Sequence, residues 1–259
     1  MRTVGKAYLV MAAATMLSFT LFAPFRVYAV PMVSTTGCAD ADASCTLEEL
    51  FSGGFFTAND IKFSNFVDVG PTGAFGGSDI RVTPFGSPIN GGFKMAPIDP
   101  DANPWKIAGD AADMSLSAGF TYDVEVLMGD PIGASALVVR FGDLNNRGTL
   151  SIDGAIKKVI DRLFPLSPVD LAVSCNAIDP LDCGNKTGTD NKAFGPVASL
   201  SVLETLDLEF VLVSGGGGAI EVKRIKNAFR RVVPEPVTLT LFVVGLAGLG
   251  FMMRRRRMA

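Results

Sequence analysis

The chain has 259 residues, 48% of them hydrophobic and 19% charged, with 28 glycines and 15 prolines. It contains no histidine, which excludes Ser-His-Asp and Cys-His nucleophile systems and histidine-ligated zinc. Its formal net charge of −3 gives no basic surface for nucleic acid.

At the N-terminus, Arg2 and Lys6 precede an apolar stretch from Ala7 to Phe22, and Val27-Tyr28-Ala29 then offers a small residue for a cleavage site. This order of basic, apolar and small residues predicts a secretory signal peptide over 1–29 and a mature chain beginning at Val30.

Residues 30–233 form one domain's worth of chain, and its pattern is mostly β. Thr46-Leu47-Glu48-Glu49 is a capping box, in which Thr46 and Glu49 exchange bonds with the backbone, and predicts a short helix ending near Gly53. Strands are expected over Lys62–Val69, Ile80–Thr83 and Ser115–Leu127, the last with Phe120, Tyr122, Val124 and Val126 in register. Another should cover Ala134–Gly142, after a Gly129-Asp130-Pro131 turn. From Leu150 to Phe164 the apolar spacing fits an amphipathic helix slightly better than a strand, though Leu150, Ile152, Ile156 and Ile160 also alternate. A short strand is expected over Val169–Ser174. The clearest strand is Ser201–Val213, with Val202, Leu206, Leu208, Phe210 and Leu212 on one face and Ser201, Thr205, Asp207 and Glu209 on the other. Gly215-Gly216-Gly217-Gly218 follows and predicts a hairpin with the strand Ala219–Phe229. In that strand Ile220 and Val222 are out of phase with Ile225 and Phe229, which predicts a bulge near Arg224. Many strands, turns and little helix read as an antiparallel β-sandwich.

Residues 234–259 differ in kind. Pro234-Glu235-Pro236 is followed by seventeen uncharged residues, Val237–Met253, and then by Arg254, Arg255, Arg256 and Arg257. As a helix that apolar run reaches about 25 Å, just short of a hydrocarbon core of about 30 Å. The arginines mark the cytoplasmic side of a single transmembrane helix. Val233-Pro234-Glu235-Pro236 is an extended stretch that a processing enzyme can grip. This tail resembles the PEP-CTERM sorting signal of Gram-negative bacteria. The resemblance implies recognition by the membrane protease-transpeptidase exosortase, processing at the Pro-Glu-Pro site, and delivery to the cell surface or matrix. An ordinary C-terminal membrane anchor is the plainer reading of the same residues.

The ectodomain is similar to a recurring type of PEP-CTERM protein. The residues that carry this are Cys45–Leu50 with Gly53-Gly54, Ile61–Phe66, Asp113–Ser117, Phe194–Val202 and Gly215–Gly218. That resemblance tips Leu150–Asp161 towards strand and brings no catalytic or binding residues with it. It associates such proteins with extracellular polysaccharide and biofilm matrix.

The terminal segments hold seven of the 23 basic residues (Arg2, Lys6, Arg26 and Arg254–Arg257) and one of the 26 acidic ones (Glu235), so 16 basic residues face 25 acidic ones, near −9. Cysteines fall in two local pairs, Cys38 with Cys45 and Cys175 with Cys183. In an exported chain an even count predicts disulfides; four cysteines allow three connectivities, and proximity selects these two. Trp105 is expected in the core rather than as a stacking platform for sugar. No cofactor is expected. The expected role is non-enzymatic, structural or adhesive, with a cell-surface carbohydrate-binding module as the alternative. A binding module should expose aromatic side chains around Trp105 or Tyr122.

Asp143-Leu144-Asn145-Asn146-Arg147-Gly148 begins like a calcium loop, but Arg147 replaces the carboxylate at its fifth position and Gly154 the glutamate at its twelfth. It reads as a polar turn, and no metal site is assigned. The segment from Val30 to Val233 is therefore expected to melt at the same temperature in calcium and in chelator. A site saturated at 100 times its dissociation constant would add about 2.7 kcal/mol, and a shift of that size abolished by Asp143→Ala would restore the calcium reading.

Overall fold

The computed structural model describes residues 33–39, 43–70, 76–87, 89–109, 114–142, 145–146, 150–162, 169–176, 187–212 and 218–232. They build an antiparallel β-sandwich. One sheet holds β1 (Val33–Thr36), β3 (Phe55–Ala58), β4 (Ile61–Asp68), β8 (Met114–Val126), β14 (Ser199–Leu212), β11 (Leu150–Arg162) and β12 (Val169–Asn176), in that spatial order. The other runs β13 (Thr187–Val197), β9 (Ile132–Phe141), β15 (Gly218–Arg231), β6 (Asn90–Pro97), β5 (Ile80–Ser87) and β2 (Cys45–Thr46). Short strands β7 (Lys106–Gly109) and β10 (Asn145–Asn146) also pair with β15.

Alternation explains most of the strands. In β8 Ala118, Phe120, Tyr122 and Val124 are buried, and in β14 Leu200, Val202, Leu206 and Leu208 are, so both strands turn one face inward. Aromatic rings from both sheets meet between them. Phe63 stands 5.5 Å from Phe93 and 5.6 Å from Phe229, and Tyr122 stands 5.2 Å from Phe93. The stretch with mixed periodicity is strand β11.

Two departures from simple alternation are built by asparagine. Asn65 has φ of +55° where the register of β4 against β8 shifts between Ser64 and Val67. The extra residue changes phase, so that Phe63 and Phe66 both enter the core. Asn59 and Asp60 have φ of +51° and +61°, which a two-residue turn between β3 and β4 requires. Arg231 at the end of β15 bonds the Asn59 carbonyl and lies 3.8 Å from Asp60, tying this turn to the opposite sheet.

The expected hairpin across Gly215–Gly218 is not formed. β14 lies between β8 and β11 in one sheet, and β15 lies between β9 and β6 in the other. The chain crosses from one layer to the next, because each strand has an apolar face that needs the opposite layer and not its sequence neighbour. The expected bulge is present: the register of β15 against β9 shifts between Val222 and Arg224. Ile220, Val222, Ile225 and Phe229 are all fully buried as a result.

The helix α1 (Leu47–Phe51) starts at the expected capping box. Glu49 N donates to Thr46 Oγ1 at 3.2 Å, and Thr46 N donates to Glu49 Oε2 at 2.7 Å. The Thr46 amide, with that of Ala39, holds the Glu49 carboxyl below its usual range. Leu47 and Leu50 are buried beneath the helix.

Cys38 and Cys45 form a disulfide with Cα atoms 5.0 Å apart. Cys38 follows β1, the edge of one sheet, and Cys45 lies in β2, the edge of the other. The bond therefore clasps both sheets along one side of the sandwich. On the other side the edge strands β12 and β13 meet, and Asp190 Oδ2 accepts from the Ala172 amide at 2.9 Å. That carboxylate covers an edge donor that another chain could otherwise use. Closing a loop with a sequence separation of 7 should stabilise the domain by roughly 2–3 kcal/mol in the chain-entropy account. A Cys38→Ser, Cys45→Ser double variant is expected to lose about that much in urea titration.

Candidate functional site

A polar node lies inside the sandwich. Tyr122 on β8, Glu204 on β14 and Asn227 on β15 are all fully buried. The register pairs Tyr122 with Val202 and Glu204 with Phe120, so Tyr122 and Glu204 are diagonal neighbours on the inner face. From the opposite sheet, Asn227 Nδ2 donates to Glu204 Oε2 at 2.7 Å. Phe93, Phe120, Phe66 and Phe229 surround the Tyr122 ring at centroid distances of 5.2, 5.6, 5.3 and 6.5 Å. Burial pushes the Tyr122 phenol well above its usual range, and the charge of Glu204 pushes it further.

Neither Glu204 nor Asn227 is a residue that the sequence reading singles out, yet a signal was present. Glu204 has the phase of Val202, Leu206 and Leu208, and Asn227 has the phase of Ile225 and Phe229. A carboxylate on an apolar face is costly unless paired, so each such position marks a partner inside. Sealed from solvent, this carboxylate and amide are out of reach of a diffusing substrate.

The outer face of the same sheet carries a second arrangement. Asp123 accepts from Asn65 Nδ2 at 2.7 Å through Oδ2 and from Ser201 Oγ through Oδ1. One carboxylate is thus held from both neighbouring strands, β4 and β14. Further along, Ser117 Oγ donates to Asp207 Oδ1 at 2.6 Å. Glu125, exposed, follows Asp123 on this face of β8. The result is an open strip of hydroxyls and fixed carboxylates.

Trp105 is fully buried, as expected, and so is Tyr122. Asn103 fixes the turn that delivers the tryptophan: its Oδ1 accepts from the Trp105 amide at 2.8 Å, and its Nδ2 donates to Glu221 and to the Val222 carbonyl. Neither aromatic is exposed to stack on a sugar. Cys175 stands in β12, but its side chain and all of Cys183 lie outside the described residues. The same holds for Val233, Pro234, Glu235 and Pro236, for Val237–Met253, for Arg254–Arg257, and for Asp143 and Arg147 of the polar turn. Among the described residues no group of three or more acidic or cysteine side chains is set to hold a metal, and no helix is long and apolar enough to cross a membrane.

No protein-family model matches the chain, and no curated protein matches it in sequence. Solved structures with a distant likeness include the following two. The carbohydrate-binding module TmCBM61, solved in complex with β-1,4-galactotriose, is 12% identical over 65% of this chain and 90% of its own, with a TM-score of 0.30. The enzymatically active domain of tailspike protein 4 of bacteriophage CBA120 is 14% identical over 76% of this chain and 19% of its own, with a TM-score of 0.21. Neither likeness is close enough to argue from.

The Tyr122 phenol has a pH signature. Its folded pKa is raised above the ordinary value of 10.0, so the folded state keeps a proton that the unfolded chain releases. The stabilisation is complete below pH 10 and is lost as pH rises from there towards the folded value. The loss has a limiting slope of about 1.4 kcal/mol per pH unit. Stability measured above pH 10 is expected to fall less steeply in Tyr122→Phe than in the parent.

Proposed function

We propose that the chain is an exported, non-enzymatic protein sorted by exosortase, whose β-sandwich is a structural or adhesive component of an extracellular polysaccharide matrix. The observation that carries this reading is the tail: Pro234-Glu235-Pro236, the apolar run Val237–Met253 and Arg254–Arg257, in that order. A chain that leaves the cytoplasm through its signal peptide is held by the apolar helix, with the arginines inside, and presents the Pro-Glu-Pro segment to a membrane enzyme. The Cys38–Cys45 disulfide fits an oxidising compartment outside the cytoplasm. The acidic ectodomain fits a soluble surface protein rather than one held to anionic lipid.

A non-catalytic role is supported by where the polar groups lie. The buried pair Glu204–Asn227 is sealed, and Asp123 and Asp207 lie on the outer face of the sheet. That outer face also supports the second reading, a carbohydrate-binding surface. The two oxygens of Asp123, fixed by Asn65 and Ser201, are acceptors for sugar hydroxyls. In this reading recognition runs through hydrogen bonds, because Trp105 and Tyr122 are buried. Retention on immobilised matrix polysaccharide, lost in Asp123→Ala with the fold intact, is what this second reading expects.

The sorting proposal is tested by intact mass. Protein matured in an exosortase-positive host is expected to lack Val237–Ala259, whereas an exosortase-deficient host should retain it. A mature protein that keeps these residues in both hosts leaves a plain membrane anchor.

A further inference from the structure

The acidic excess of the ectodomain conceals one basic face. β5, β6 and β9 contain no aspartate or glutamate, and β15 contains only Glu221. These four strands are neighbours, in the order β9, β15, β6, β5. In β15 the buried Ile225, Asn227 and Phe229 leave Arg224, Lys226 and Arg230 on the outer face. Phe93 and Met95 do the same for Lys94 in β6, and Val139 and Phe141 for Arg140 in β9. The register then sets like charges against each other. Lys226 stands directly opposite Lys94, and Arg224 directly opposite Arg140. Like charges so placed destabilise a sheet. None of these five cations forms an ion pair with a described acidic side chain. Glu221 precedes the bulge, and Asn103 Nδ2 donates to its Oε1 at 3.0 Å. Lys226 Nζ instead lies 4.5 Å over the Phe85 ring. Opposed cations without counter-charges are an arrangement that an external anion stabilises.

From this arrangement we propose that the outer face of β9, β15 and β6 binds an acidic polysaccharide, a polymer of sugars bearing carboxylate or sulfate groups. Lys94, Arg140, Arg224, Lys226 and Arg230 pair with its anions, and each arginine can hold one through two N–H donors. The cations are spread rather than convergent. Neighbouring strands lie about 4.8 Å apart, and Arg224 to Arg230 covers about 20 Å of β15. A single small anion meets few of them, whereas a chain with repeated charges meets several. The spacing also favours this class over nucleic acid. Duplex DNA carries a charge about every 1.7 Å, denser than this face matches, and the acidic remainder of the domain repels it. The class of polymer rests on the matrix reading above. The site itself is distinct from the one around Asp123, because it lies on the opposite sheet and uses cations instead of acceptors.

The test is retention of the purified full chain on immobilised polygalacturonate, which reports carboxylate, and dextran sulfate, which reports sulfate. Dextran is the neutral control and duplex DNA the competitor. Retention is expected on at least one acidic polymer and not on dextran, and should weaken at least about tenfold between 50 and 200 mM salt. A Lys94→Glu, Arg140→Glu double variant should bind at least about tenfold more weakly. It turns both like-charge pairs into opposite-charge pairs, so its melting temperature should equal or exceed the parent's. That readout separates lost binding from a lost fold. Lys62→Gln, on the outer face of the other sheet, should bind as the parent does. No retention on either acidic polymer at 50 mM salt, equal retention on dextran, or unchanged binding in the double variant would overturn the proposal. Tighter binding to duplex DNA than to either polymer would assign the face to nucleic acid instead. Salt-sensitive self-association without polymer binding, relieved in the double variant, would assign it to a second copy. A failure of the sorting reading shows in the intact mass and leaves this retention unchanged.

Discussion

A carboxylate buried between two apolar sheets constrains everything around it. Glu204 reaches across the sandwich to Asn227 from the same buried face as Val202 and Leu206. An uncompensated charge there would cost several kcal/mol, so the fold is held to arrangements that keep the partners together. A slip of one residue in β14 would turn Glu204 outward and carry Ser201, Thr205 and Asp207 into the core. A slip in β15 would turn Asn227 away and expose Ile225 and Phe229. Two central strands, one in each sheet, are thereby fixed relative to one another.

This explains why β14 and β15 face each other and do not form a hairpin. Both carry an apolar face with one polar residue in it, and those two residues complete each other. The edges follow a different logic. A sandwich of two open sheets exposes four edges, and here they are joined in pairs. The Cys38–Cys45 disulfide binds β1 to β2, and Asp190 bonds the Ala172 amide where β13 meets β12. One clasp is covalent and lost on reduction, and the other is a hydrogen bond between the two edge strands. Under the proposed role, a protein exposed outside the cell is protected along the edges that most readily recruit other strands.

Local signals in the sequence were legible where one residue sets the outcome. Thr46 and Glu49 made the helix start, the phase change around Arg224 made the bulge, and the cysteine spacing gave the Cys38–Cys45 bond. Trp105 was read correctly as a core residue. Periodicity alone misjudged Leu150–Phe164, whose apolar spacing also fits a helix. What the sequence hid was non-local. A glycine run between two alternating strands serves a hairpin or a crossover equally well, and only the competition for apolar partners decides. Strand β13 was missed because it is an edge with few inward positions, and β6 because Asn90-Gly91-Gly92 reads as a turn. The Gly92 position is set by tertiary contact: a Cβ there would collide with the Asn227 carbonyl oxygen and the Phe85 ring. The node itself was hidden because Glu204 and Asn227 make sense only as a pair, and they are 23 residues apart in different sheets.

The central claim is that Glu204 and Asn227 act as one unit across the sandwich. A double-mutant cycle with Glu204→Ala, Asn227→Ala and the double variant, read by urea unfolding, tests it most directly. The account predicts a coupling of at least about 1 kcal/mol, with the second substitution costing much less once the first is made. Additive losses, within about 0.5 kcal/mol, would show that the two residues contribute separately and would contradict it.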